Sequence, residues 1–518
     1  MRSNLIVASG TALSRLTGLI RVIVFAYVIG QNALSDAYKL GNETPNIVYD
    51  LIIGGVLSAT LVPVLTSLFT DDDDEGVNAV VTIAMIATAA LTALAVVCAP
   101  WIFRAYALST ATDVDPVAFR SVGTALTRIF LIQIFFYGVT GVMNALLNSR
   151  RRFAAAAWSP IVSNLVIIGS LLSLPSAGSS TWALGDVLTN TRLAATLKYG
   201  ATGGIAAMAI IVAIAVRRSG ITLRWQFNLQ HVAVRRVASM SVWTLGFVIA
   251  NQIALIIVRN LANPGSSLAS AYFDAFMFFV LPHGLLAVSI ATTLQPELAT
   301  AATSHDGPMT ARLIERGTRA TVALTAPASA LLITLGPLVV AGLMGRGQFG
   351  GDAVTNTSDA LRGLAVGLVG FSVYMLSLRG FYAHHDTRTP FALNVIENLL
   401  NIVFAIILVR AFGIFGLGLA LALAYLISAV AALFALQRHR VQLLDLKGIG
   451  NQTARMLLAA VVAGGLVSLG IDRFGLGDST GSTALIVVVV AGVALLAAYA
   501  ALARLLRVAV QDLFRLSA

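Results

Sequence analysis

Two arginines stand where an apolar helix is expected. In SRLTGLIR, Arg15 and Arg21 are six residues apart within a run of otherwise apolar and small residues. An arginine deep in lipid costs at least about 2.5–3.5 kcal/mol. Two on one helix therefore require a water-filled cavity or partners. The following segment, SDAYKLGNETPN, supplies Asp36, Lys39 and Glu43 before Pro45, and Asp50 comes one turn further on. These residue types allow two arrangements. In one, Arg15 or Arg21 pairs with Asp36 or Asp50 and fixes helix packing. In the other, the arginines line a cavity for a phosphate-bearing headgroup, because the planar guanidinium donates two parallel hydrogen bonds to phosphate oxygens and stays charged. The two are compatible, since a carboxylate can hold the arginine between substrates.

Further along, Asp274 lies in YFDAFMFFVLPHG and Glu397 in NVIENLLN. Asn394 and Asn398 are four apart and share a helix face, with Asn401 three residues beyond. Such oxygen-rich stretches suit a coupling cation, a proton carrier or gating, and equally suit polar packing between helices. His283, His384 and His385 fall near expected membrane interfaces, where an ordinary hydrogen-bonded role is expected. The lone cysteine, Cys98 in AVVCAP, reads as a small buried hydrophobe. The acidic run Asp71–Glu75 reads as a solvated turn. No HExxH, GxxxxGK[ST] or nucleophile–base spacing occurs, so nothing points to an enzyme or a metal site.

The elements that must carry these residues follow from composition. Of 518 residues, 58% are hydrophobic and 11% charged, against about 25% charged in soluble domains. Apolar runs long enough to cross a hydrocarbon core recur throughout. Spans are expected near 4–29, 44–69, 77–103, 121–148, 155–174, 199–216 and 237–259. Seven more are expected near 270–300, 320–344, 361–383, 391–410, 413–436, 453–471 and 483–503. That is an all-α polytopic membrane protein of about fourteen transmembrane helices, with no cleavable signal pattern expected ahead of the first span. The net charge of +11 is read as topology and not as nucleic-acid binding. Arg150, Arg151, Arg152, Arg217, Arg218, Arg224, Arg235, Arg236, Arg312, Arg316, Arg319, Arg438 and Arg440 fall in loops on the side of the termini. Opposite loops hold singles such as Arg104, Arg192, Arg346 and Arg473. By the positive-inside rule both termini are expected in the cytoplasm. The loop arginines are topology determinants and headgroup contacts.

Several stretches in order resemble the MurJ (MviN) family of lipid II flippases, within the multidrug/oligosaccharidyl-lipid/polysaccharide exporter superfamily. They are SRLTGLIRVIVFAYVIGQNALSDAY at 14–38, TPNIVYDLIIGGVLSATLVPVL at 44–65 and QIFFYGVTGVMNALLNSRRRFAAAAWSPIVSNLV at 133–166. LPHGLLAVSIATTLQPELA at 281–299, LMGRGQF at 343–349 and LRGFYAHHDTRTP at 378–390 continue the match. The resemblance implies two six-helix lobes, here 1–218 and 219–440, plus two C-terminal helices within 441–518 that form a groove for a polyprenyl tail. It also implies a central cavity whose arginines meet the pyrophosphate. Arg15, Arg21 and Asp36 match the family's first-helix arginines and the acid after them. A sodium or proton gradient, or the membrane potential, is the implied drive, with no other cofactor. The sequence departs from the family where Tyr49 and Asp50 replace an arginine pair, Gly54 a glutamate, and Met277 a cavity arginine. An acid in the seventh span that some members use for sodium is not evident.

The expectation is a flippase in the bacterial cytoplasmic membrane that moves lipid II, a polyprenyl-pyrophosphate-linked precursor, to the outer leaflet, with Arg15 and Arg21 on the pyrophosphate and Asp36 as their latch. Membrane lipids and cell-wall synthesis or division proteins are the further partners. Two alternatives stand beside it: transport of another lipid-linked saccharide or an amphipathic drug, and a non-transporting scaffold. A drug/cation antiporter would show acids instead of paired arginines at its cavity.

Overall fold

The computed structural model describes the backbone of residues 2–47, 56–175, 182–384 and 386–508, with side chains at all of these except 2–8, 56–60 and 239–248. The regular elements among the described residues are all helices, with no strand among them. They divide into two compact units, Met1–Ser270 and Ala271–Ala518.

The first unit is built from α1 (Arg2–Ile29), α2 (Ala33–Gly41), α3 (Val56–Thr70), α4 (Asp74–Val97), α5 (Ala99–Tyr106), α6 (Pro116–Leu131) and α7 (Gln133–Ser149). It continues with α8 (Ala154–Leu172), the single turn α9 (Asp186–Thr189), α10 (Thr191–Arg218) and α11 (Val232–Leu261). Beside a smaller one at Ala95, Ala99, Leu131 and Ile134, its larger apolar cores are two. Leu65, Val80, Leu146 and Val212 centre one, and Phe25, Phe130, Ile167 and Leu197 the other. Local chemistry sets the ends. Asp73 caps α4 by accepting from the Gly76 amide at 2.7 Å, and Asn32 and Ser35 form a reciprocal capping box on α2. The acidic run is thus part cap and not only solvated turn. Cys98 is half-buried at the break between α4 and α5. It is less buried than a core cysteine because the helix break turns it partly outward.

The second unit starts within α12 (Leu268–Pro282), which runs through a π-helical turn at His283–Ala287 into α13 (Val288–Thr303). It then contains α14 (Gly307–Leu343), α15 (Gly351–Ala365), α16 (Leu368–Ala383), α17 (Arg388–His439), α18 (Leu446–Arg473) and α19 (Gly481–Leu505). Val322, Tyr374, Phe381, Leu436, Met456 and Leu495 lie in its main core. α17 is two helices merged across Gly413, whose φ of 55° and ψ of −135° put a sharp kink between the eleventh and twelfth expected spans.

Ten described helices are long and apolar enough to cross a membrane, and α15 with α16, bent by 50°, makes an eleventh. α17 contains two expected spans. Shorter apolar helices at Leu61–Thr70 and Ile249–Leu261 fall on the second and seventh, whose remaining residues are in part outside the described side chains. Each expected span thus has a helix. The helices run longer than the apolar sequence alone because capped polar turns extend them.

Candidate functional site

On α1, Arg15 and Arg21 are both half-buried and project about 120° apart by helical spacing. Gly18 lies between them, and the helix is fixed by Asn164 of α8, whose side-chain amide donates to Ser14 O at 3.2 Å and Thr17 Oγ1 at 3.0 Å. Among the described residues neither arginine makes an ion pair or a hydrogen bond. Asp50 and the positions Tyr49 and Gly54 lie outside the described residues, as does His385. Met277, half-buried on α12, carries no charge to the site.

Asp36 does not meet these arginines. Fully buried on α2, it accepts from the backbone amides of Gly265 at 2.9 Å, Ser267 at 3.0 Å and Ser270 at 2.7 Å. The loop that presents them bends through left-handed backbone at Asn263, Gly265 and Ser267, and the amides converge where α12 begins. The carboxylate therefore caps a helix from another part of the chain, with the charge at the positive end of the helix dipole. Ser35 Oγ and Ser270 Oγ, 2.8 Å apart, and Lys39 Nζ on Ser270 O at 3.4 Å complete the contact.

Close by in sequence is a group that hydropathy did not reveal. Glu43 and Arg259 form a buried ion pair, 3.1 Å between Oε1 and the guanidinium, with side-chain exposures of 9% and 5%. Tyr106 donates to Gln252 at 3.2 Å and Tyr137 to Asn46 at 3.2 Å. Asn260 ties α11 to the end of α5, donating to Ala105 O and accepting from the Leu108 amide, both at 2.7 Å. Residues 35–43 are thus joined to 259–270 by an ion pair and hydrogen bonds, all within the first unit. Arg259 sits at the end of its expected span, where an arginine is usually an interface anchor. Its one sequence signal is Glu43, a second charge beside an expected span, 216 residues away.

The second unit has its own polar centre. Glu397 is 2% exposed and makes no hydrogen bond or ion pair among the described residues. The rings of Tyr374 and Tyr425, in the same unit, lie 5.8 Å apart. The buried Tyr374 hydroxyl and Asn401 Oδ1 have no hydrogen-bond partner there. Asn398 donates to Asn394 O at 2.9 Å and Asn394 Oδ1 at 3.3 Å, which is the shared face that their spacing predicts. Asp274 is buried on α12. His283 meets Ser372 at 3.0 Å and stacks near Phe371 at 4.4 Å, and His384 Nδ1 is 2.8 Å from Gly380 O. Both histidines have the ordinary hydrogen-bonded roles expected of them. Among the described residues no three His, Cys, Asp or Glu side chains gather as a metal site would require. A buried carboxyl three residues from Asn394 and four from Asn401, on one helix face, is suited to hold a proton or one monovalent cation.

The arrangement has close counterparts. A solved structure titled "Lipid II flippase MurJ, inward closed conformation" superposes with a TM-score of 0.77 at 20% identity, covering 97% of this chain and 100% of that one. An inward-facing multidrug resistance MATE family transporter gives 0.67 at 14% identity, over 85% of this chain and 98% of that one. At such identities these likenesses establish the fold. In sequence, the chain is 27% identical to a lipid II flippase MurJ of Burkholderia cenocepacia over 78% of each chain. It is 24% identical to a probable lipid II flippase MurJ of Vibrio cholerae over 90% of this chain and 88% of that one. The sequence model of the family described as "Lipid II flippase MurJ" matches residues 25–489. With nearly its whole length matched and an all-helical multi-pass architecture to go with it, this chain belongs to the lipid II flippase MurJ family.

Proposed function

We propose that this chain is a flippase that carries lipid II from the cytoplasmic to the outer leaflet of the bacterial cytoplasmic membrane by alternating access, with both termini in the cytoplasm. The observation that carries the proposal is the pair Arg15 and Arg21: half-buried on an apolar helix, without ion pairs among the described residues, in a chain matched to the family from residue 25 to 489. Their donors suit the two phosphates of a polyprenyl-pyrophosphate headgroup. No covalent step is needed. The bilayer opposes the polar headgroup, and a wet cavity lowers that barrier while the tail stays in lipid.

The lobes 1–218 and 219–440 would rock about the site, with 441–518 serving the tail. The contacts of Asp36 with 265–270 and of Glu43 with Arg259 lie within the compact unit Met1–Ser270, and on this reading they stay closed and move together through the cycle. Asp36 is then a latch on a helix end and acts on the arginines only through it. Glu397, with Asn394, Asn398 and Asp274, is the region for Na+ or H+ coupling, and Asp50 stays a gating candidate on sequence grounds. A changed cargo, another lipid-linked saccharide, is the second reading, supported by Met277 where an arginine is expected.

Complementation tests the proposal. In cells depleted of their own lipid II flippase, the wild-type chain restores outer-leaflet lipid II, and Arg15→Ala or Arg21→Ala at matched membrane level lowers it by tenfold or more, as loss of charge-assisted phosphate contacts predicts at about 1.4 kcal/mol per decade. A well-inserted wild type that restores nothing overturns the lipid II assignment. Full activity of both alanine variants overturns the arginine site.

A further inference from the structure

The connection between α10 and α11 has an unusual alternation. After Gly220, residues 221–228 are non-helical, with a turn at 229–230, and the segment is hydrogen-bonded to the first turns of α4. Ile221 at one end, and Ala233 and Val234 at the other, enter the same core as Val77 and Val80. Between them the backbone is pinned to α4. The Arg224 amide donates to Asn78 Oδ1 at 2.8 Å and the Gln226 amide to Thr82 Oγ1 at 3.0 Å. Asn228 Nδ2 donates to Glu75 at 3.3 Å, and His231 lies 3.4 Å from Asp73. The intervening residues point away. Leu223, Trp225, Phe227 and Leu229 are 36%, 79%, 66% and 55% exposed.

The pinning reaches into the apolar sequence of α4. Thr82 lies eight residues past Asp74, about 12 Å along the helix, and beyond Val77, where the apolar run opens. A loop in water needs no side-chain acceptors for its amides and does not present an unbroken row of large apolar groups. A loop in lipid needs the first and is stabilised by the second. Arg217 and Arg218 precede the row and Arg224 lies within it between Leu223 and Trp225; all three are exposed, and side chains of this length can snorkel to phosphates.

We infer that residues 221–231 are a re-entrant wedge seated in the arginine-rich leaflet. Its row Leu223, Trp225, Phe227 and Leu229 enters the acyl boundary, and Arg217, Arg218 and Arg224 hold anionic phospholipid above it. The wedge fixes the start of α11 against α4 at a set depth. It uses the membrane as its partner, and it does not depend on the cargo proposed above.

The test uses full-length chain with Cys98→Ala as background and Phe227→Cys or Trp225→Cys carrying a nitroxide, in vesicles of phosphatidylethanolamine and phosphatidylglycerol. Both labels are expected to relax with oxygen and to be shielded from a water-soluble nickel reagent, the reverse of a label at Arg151→Cys. A label open to the nickel reagent overturns the wedge, and so does one shielded from both reagents, which would mean that protein covers the row. Asn78→Ala/Thr82→Ala, checked for unchanged helicity and a single elution peak, is expected to raise the Phe227→Cys label toward water; no change in depth overturns the pinning. For the headgroup, native mass spectrometry of Arg217→Gln, Arg218→Gln and Arg224→Gln is expected to show about a fivefold loss of phosphatidylglycerol affinity per arginine. Equal retention of phosphatidylglycerol and phosphatidylcholine by wild type overturns the anionic assignment.

Discussion

Asp386, in the turn before α17, accepts from the Arg388 and Thr389 amides at 3.1 Å, from Thr389 Oγ1 at 2.8 Å and from the Arg440 guanidinium at 2.9 Å. Burial alone pushes its carboxyl up, but the Thr389 amide, the Arg440 and Thr389 side chains and the Arg440 charge outweigh it and bring the pKa down to about 2. A carboxyl lowered on folding stabilises the fold above its unfolded value, near 3.8, and loses that contribution as pH falls through 2. Thermal unfolding in detergent should therefore show Asp386→Asn less stable than wild type at pH 7, by on the order of 1–2 kcal/mol, with the two converging near pH 2. At Glu43 and Arg259 the expected signature is non-additivity. Glu43→Gln or Arg259→Gln alone breaks a buried ion pair and should cost about 3–5 kcal/mol, and the double substitution much less than the sum. A sum that is simply additive would mean that the two side chains do not depend on each other. Residues were unevenly legible. Arg15 and Arg21 announce themselves because an ionised group inside an apolar run is costly. Asp36 announced itself too, yet its partners are backbone amides, which no residue type encodes. Arg259 was hidden because an arginine at the end of a span looks like any other anchor.

The helices show the same division between what apolar length reports and what it cannot. Runs of about twenty apolar residues place the spans, since backbone polar groups in lipid must be satisfied within the segment. Bends come from single residues and their neighbours, so the π-helical turn after Pro282 and the kink at Gly413 were not read from hydropathy. Gly413 takes a backbone conformation closed to residues with a Cβ, and Gly413→Ala should cost about 1–3 kcal/mol by thermal unfolding. Close approach makes a second demand. A Cβ at Gly363 would meet the backbone of α17, Phe415 O and Leu419 N among the atoms, and one at Gly418 would meet Ala360 O at 2.6 Å and Leu364 N at 2.8 Å. Backbone cannot turn aside as a side chain can, so Gly363→Ala should destabilise by about 1–3 kcal/mol. Gly169→Ala in α8, which meets nothing within 4 Å, should be neutral or slightly stabilising by helix propensity. Equal effects at the two sites would remove the packing explanation.

For the molecule as a whole, the arginine asymmetry sets an orientation that can be read directly. Alkaline phosphatase fused after Asp113 should be active and after Arg152 inactive, while a fluorescent protein on the C-terminus should fluoresce; the opposite pattern would invert the proposed topology. The family, and with it the fold, was legible from six ordered stretches along the whole chain. The grouping of residues 232–270 with the first unit was not, because it depends on contacts that only the folded chain makes. Those contacts also have an electrical side. Glu43 and Arg259 cancel each other, so a rearrangement that carries them together displaces no net charge across the bilayer and is silent to voltage. Arg15 and Arg21, with no ion pair among the described residues, each couple to the field at about 2.3 kcal/mol per 100 mV for a full traverse. If the membrane potential drives the proposed transport, it is expected to act on Arg15 and Arg21 of the first helix, while the buried pair goes unfelt.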